Sequence, residues 1–121
     1  MEKITVYEKP TCSTCKKTLK ILKDNNVDFE KVNYYIKPFN KKQLKMLLKK
    51  MNMRPEELLR KNEAAYKELN MSNRVFTDDE FLNQMIDNPD LVQRPIVEMG
   101  DKAVLARPPE RINELFEKKL K

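Results

Sequence analysis

The run Ile4-Thr5-Val6-Tyr7 leads directly into Pro10-Thr11-Cys12-Ser13-Thr14-Cys15. The residues that follow, Thr14 to Asp24, read as an amphipathic helix, with Leu19 and Leu22 on one face and lysines on the other. Val27 to Val32 then alternates apolar and polar, as a second strand does. Strand, helix and strand in about 30 residues make a βαβ unit, a crossover that sets its two strands parallel. The chain's only two cysteines stand at the strand-to-helix junction of that unit. There, unpaired backbone N–H groups and the positive end of the helix dipole favour a thiolate. One feature therefore constrains both the local topology and the chemistry.

After Pro38 the pattern changes. Leu44, Leu47 and Leu48 have helical spacing, Pro55 is tolerated at the start of a short helix over Glu56 to Arg60, and Glu63 to Leu69 reads as another. Thr77, with Glu80 three residues on, forms a capping box for a helix carrying Phe81, Leu82, Met85 and Ile86 and ending near Asn88-Pro89. Beyond it, Ile96 to Met99 and Lys102 to Ala106 flank Gly100-Asp101 as a hairpin, with the chain's only glycine where a positive φ is most useful. Pro108-Pro109 opens a last helix, Glu110 to Lys119, with Ile112, Leu115 and Phe116 inward and a basic end at Lys118, Lys119 and Lys121. The order is βαβ, a helical insertion at about 38–90, then ββα. This is the arrangement of a thioredoxin-like α/β fold: a four-stranded mixed sheet flanked by helices, one domain over residues 1–121. Pro95, just ahead of the third strand, stands where such folds carry a cis-proline facing the active thiol.

At 121 residues and 40% hydrophobic content the chain can bury one modest core. Its net charge of +6 could suit nucleic acid or anionic substrates. However, the basic residues are interleaved with acids (Glu56-Glu57, Arg60-Lys61, Glu63, Lys67-Glu68), and no basic run carries the aromatics of a single-strand binder. Nucleic acid is therefore not expected as a partner. No apolar stretch approaches the roughly 18 residues that span a bilayer, and Met-Glu-Lys before a strand does not read as a signal peptide. The expectation is a cytoplasmic monomer. In a reducing compartment a Cys-x-x-Cys pair is catalytic or metal-binding rather than structural. With no histidine and no further cysteine, a zinc site would need carboxylates to complete it, and no metal is expected.

Cys12 is the expected nucleophile, at the helix N-terminus with Lys16 and Lys17 adding positive charge nearby. Cys15, one turn inside, lies at a separation that a disulfide can bridge, and it reads either as a resolving thiol or as a small buried hydrophobe. Arg60, Arg94 and Arg107 each stand at a junction: the end of a short helix, the residue before Pro95, and the end of the return strand before Pro108. A planar cation that stays charged suits multidentate binding of a tetrahedral oxyanion.

Taken together these segments resemble the glutaredoxin-coupled arsenate reductase family, often called ArsC-like. The resemblance runs through Pro10-Thr11-Cys12, Leu58-Leu59-Arg60-Lys61-Asn62 with Tyr66 and Glu68-Leu69, and Phe76-Thr77-Asp78-Asp79. It continues through Asn88-Pro89 and Arg94-Pro95-Ile96-Val97 to Ala106-Arg107-Pro108-Pro109-Glu110, and so covers nearly the whole chain in order. The resemblance implies that Cys12 attacks arsenate and that Arg60, Arg94 and Arg107 hold and polarise the oxyanion. It also implies that no cofactor stays bound, because glutathione and glutaredoxin supply the electrons before arsenite leaves. Two positions depart from the family pattern. Familiar members have a polar residue, often serine, in place of Cys15, and often a histidine where this chain has Glu8. A resolving Cys15 would allow thioredoxin as the donor. It also brings the chain nearer the Spx regulators, which share the fold and a Cys-x-x-Cys switch and bind RNA polymerase. A thiol–disulfide oxidoreductase acting on some other substrate is the remaining alternative.

Overall fold

The computed structural model describes residues 3–116. The chain divides into two compact units, one formed by Met1–Lys37 with Arg94–Lys121 and the other by Pro38–Gln93.

The first unit holds the sheet. Strand β1 (Ile4–Glu8) leads to helix α1 (Ser13–Asp24) and strand β2 (Glu30–Asn33), and the hairpin of β3 (Ile96–Met99) and β4 (Lys102–Leu105) completes four strands in the order β2-β1-β3-β4. β2 runs parallel to β1 with Glu8 opposite Asn33; β3 is antiparallel to β1 with Val6 opposite Val97; β4 is antiparallel to β3. Alternation along β1 puts Ile4 and Val6 on the face that packs with Leu19 and Leu22 of α1, Val97, Val104, Ala106, Ile112 and Leu115. Gly100 turns the hairpin at φ 61°, as its placement implies.

Three sequence boundaries shift here. β2 begins at Glu30 rather than Val27. The Val27 N–H is spent on the Leu22 carbonyl at 2.9 Å, closing the end of α1 after Asn26 at φ 58°. The return strand stops at Leu105, leaving Arg107 beyond it with its N–H on the Leu105 carbonyl. The closing segment is a 3-10 helix, Pro109–Leu115, rather than an α-helix from Glu110 to Lys119; Ile112 and Leu115 are inward as expected, and Phe116 is half-buried. Lys118, Lys119 and Lys121 lie outside the described residues.

The second unit is helical: α2 (Lys41–Met51), α3 (Ala64–Glu68) and α4 (Asp78–Asp87), with short 3-10 turns between them. Asn40 caps α2 through its Oδ1, which accepts from the Gln43 N–H at 2.7 Å. The capping box at α4 forms as read: the Glu80 N–H donates to Thr77 Oγ1 and the Thr77 N–H to Glu80 Oε1. Leu44, Leu47, Leu48, Leu58, Leu82, Met85 and Leu91 are buried. The expected helix over Glu56–Arg60 is a 3-10 turn, Pro55–Leu58. It stops early because the chain then pairs with a distant segment: Leu59 bridges Val92, the Arg60 N–H donates to the Leu91 carbonyl at 2.7 Å, and the Gln93 N–H donates to Leu58.

Candidate active site

Topology brings the chemistry to one edge of the sheet. β1 and β2 are parallel, so the loop after β1 and the residues after β2 emerge at the same edge. β3 runs against β1, so the residues before it start there. β4 reverses again and ends there. Cys12, Tyr34, Arg94 and Arg107 are the residues those four positions carry. The Ala106 N–H on the Pro95 carbonyl, at 3.0 Å, extends the hairpin ladder to that edge.

Cys12 is the N-cap of α1, in extended backbone at φ −80° and ψ 122°. Its N–H donates to Lys9 O at 2.9 Å, its carbonyl accepts from the Lys16 N–H, and its Sγ accepts from the Cys15 N–H at 3.3 Å. The thiol thus takes the role that an oxygen side chain takes at most helix starts. Burial works against its ionisation. The hydrogen bonds from the Cys15 thiol and N–H, followed by the charge and hydrogen bond of Arg94, outweigh that and hold Cys12 below the ordinary thiol range. The cation that acts on it is Arg94; Lys16 and Lys17 are exposed.

Cys15 is fully buried. Burial first, then the proton it shares with Cys12 and the charges of Cys12 and Glu8, push its thiol up to about 12, against a lowering hydrogen bond from the Lys9 backbone. The two cysteines form no disulfide with each other, and they are chemically unequal: Cys12 is the more acidic thiol and Cys15 the less acidic.

Arg94 is only 6% exposed and precedes a cis peptide to Pro95. Burial opposes its charge, but Tyr34 by charge and hydrogen bond, then Tyr35 and Cys12, hold its pKa above the ordinary guanidinium value. Arg107, also before a cis proline, donates from Nη1 to the Arg94 carbonyl at 3.0 Å. The two arginines are therefore fastened to each other, with Arg94 beside Cys12. Arg60 belongs to the helical unit, where its Nε pairs with Glu63 Oε1 at 2.9 Å.

Tyr34 and Tyr35 were not among the residues singled out from sequence. Tyr34 is 1% exposed, and Lys9 stacks over the Tyr35 ring at 4.9 Å. A signal for them existed: Asn33-Tyr34-Tyr35 follows a strand parallel to the one that delivers Cys12. Among the described residues no group of three His, Cys, Asp or Glu side chains is placed to hold a metal ion, and no helix is long and apolar enough to cross a membrane.

A thiol held below its ordinary pKa at the start of α1, beside a proline-flanked segment of a four-stranded mixed sheet, defines a thioredoxin-like oxidoreductase. The ArsC family model matches residues 7–115, and the chain belongs to that family. It is 38% identical over 115 residues to the uncharacterized protein YfgD of Escherichia coli, covering 94% of this chain and 97% of that one. It is 33% identical over 116 residues to an E. coli arsenate reductase, covering 96% and 82%. Among solved structures, an arsenate reductase from Vibrio cholerae superposes with TM-score 0.90 at 28% identity over 95% of this chain and 98% of that one. A putative arsenate reductase from Yersinia pestis gives 0.87 at 36% identity over 93% and 99%.

Proposed function

We propose that this protein is a thiol-dependent arsenate reductase. The observation that carries the reading is the pairing of Cys12 with Arg94: a buried cation hydrogen-bonded to a nucleophilic sulfur favours an anionic substrate over a neutral disulfide. In the reaction the Cys12 thiolate attacks arsenic(V), a sulfur–arsenic bond forms, and one arsenate oxygen leaves as water after protonation. A thiol donor then supplies two electrons, and arsenic leaves as arsenite. Arg94 and Arg107 hold the oxyanion, and Arg60 is assigned as the third arginine on the family resemblance. The protein needs no bound cofactor; its co-substrate is glutathione with glutaredoxin, or thioredoxin. It acts as a cytoplasmic monomer.

Cys15 favours a second route for the electrons. Its thiol hydrogen-bonds Cys12 from one turn away, so an internal Cys12–Cys15 disulfide, reduced by thioredoxin, is the natural closing step. The test is turnover of arsenate by purified protein with each donor system, followed through oxidation of the reduced nicotinamide that drives it. Turnover lost in Cys12→Ser supports the reading; absence of turnover with both donors in the wild type defeats it. In that case redox-dependent capture of RNA polymerase would identify a Spx-like regulator, and turnover of disulfides alone would identify a general oxidoreductase.

A further inference from the structure

Among the described residues of the sheet unit the carboxylate of Glu8 is the one buried acid, and the chemistry above does not use it. It is 4% exposed. Along β1 it continues the row Ile4, Val6, Glu8, the face that packs on α1. On α1 the row that meets this face is Cys15, Leu19 and Leu22, with buried Thr18 beside it. Ile4 and Val6 meet the leucines, so Glu8, at the end of the strand, meets the first turn of the helix. The next residue confirms the register, since the Lys9 backbone N–H donates to Cys15 Sγ. The Thr18 hydroxyl is committed to the Thr14 carbonyl at 3.0 Å and does not compete for the thiol.

We propose that Glu8 is the proton acceptor for Cys15 when that thiol attacks Cys12. The proposal rests on the reading of Cys15 as the resolving thiol. In the step, the Cys15 proton passes to a Glu8 carboxylate oxygen as Cys15 Sγ bonds to Cys12 Sγ. The bond from Cys12 to its acceptor breaks, and the electron pair leaves with the acceptor. Two thiol sulfurs become one disulfide while arsenic falls from the +5 to the +3 state; with a mixed disulfide the leaving group is a thiolate.

The electrostatics suit the role. A thiol raised to about 12 has almost no thiolate at neutral pH and cannot attack without a base. Burial raises the Glu8 carboxyl above its ordinary range, with the charge of Lys31 from β2 pulling part of the way back. The base is thus brought closer in basicity to its task. Arg94, which precedes β3, is engaged with Cys12 and Tyr34. Glu8 is ionised above its raised pKa, so closure should gain rate as pH rises through that value.

An aromatic disulfide such as 5,5′-dithiobis(2-nitrobenzoate), in slight excess over reduced full-length protein, separates the steps. Attack by Cys12 releases one coloured thiolate, and closure by Cys15 releases the second. Glu8→Gln should slow the second release relative to the first by about a hundredfold and remove the rise of closure with pH through the Glu8 range. Glu8→Asp should recover part of both, which a packing role alone would not do. Equal ratios of the two rates in wild type and Glu8→Gln would overturn the proposal while leaving Cys15 as the resolving thiol. A single release in wild type would overturn the resolving role of Cys15, and the proposal with it. Matching far-ultraviolet circular dichroism and a first release that survives substitution show that the variants are folded.

Discussion

The two units use the same kinds of residue for different ends. In the sheet unit a few polar groups are withdrawn from water and act on one another: buried Arg94 reaches Cys12 and Tyr34, half-buried Arg107 holds the Arg94 carbonyl, and Glu8 is buried at the end of β1. In the helical unit they mostly stay wet. Lys41 and Asp79 pair at the surface, and Thr77 and Glu80 cap a helix end while both are exposed. Exposed pairs are worth little because water screens them. A buried cation on a half-buried thiol changes what the thiol is. The charge of the chain therefore says little about its chemistry, and burial of a few charges says a great deal.

The sharpest test of this contrast is Cys12→Ser, which should abolish arsenate turnover while leaving the fold intact by circular dichroism. Arg94→Ala comes next. It removes the fixed charge at the thiolate and should lower kcat/KM by about 10²–10³. It should also move the midpoint of Cys12 alkylation by iodoacetamide to higher pH, because Arg94 lowers that pKa. A midpoint that stays put would show that the hydrogen bonds from the Cys15 thiol and N–H set the thiol without Arg94. Arg107→Ala loses its bond to the Arg94 carbonyl and should fall short of Arg94→Ala in both measurements.

Arg60→Ala probes the other side of the comparison. If Arg60 serves only its ion pair with Glu63, turnover stays at the wild-type level. The family resemblance instead leads us to expect a loss of about tenfold in kcat/KM, about 1.4 kcal/mol, which would make this arginine the helical unit's contribution to the reaction. The smallest effect is expected from Thr77→Ala. Loss of the α4 cap should cost about 1 kcal/mol in urea unfolding with no change in kcat at temperatures where the variant is folded. A drop in kcat there would break the division between a reacting unit and a packing unit.

Much of this was legible in the chain. The βαβ start, the capping box at Thr77 and the hairpin at Gly100 rest on local rules, namely periodicity, hydrogen-bonding side chains at a helix start, and a residue free to take positive φ. The elements misjudged were those whose backbone hydrogen bonds go to distant partners or to helix ends. Leu59 and Arg60 leave a short turn to pair with residues beyond α4, Val27 closes α1 instead of joining β2, and the closing segment winds as a 3-10 helix. The partners of Leu59 and Arg60 lie about thirty residues away, which no local pattern encodes, whereas the Val27 closure is a helix-end motif.

The site divides in the same way. Sequence by itself determined that a cysteine stands at a helix N-terminus after a strand, and that Arg94 and Arg107 are held next to prolines, because each statement concerns neighbours along the chain. Only the tertiary structure decided that β1, β2 and the β3–β4 hairpin open on one edge, so that Arg94 reaches Cys12, Tyr34 reaches Arg94 and Glu8 is buried against α1. The inequality of the two cysteines follows from that arrangement. Their spelling is symmetrical, but charge and water reach Cys12, while Cys15 is sealed beneath it with a carboxylate for company.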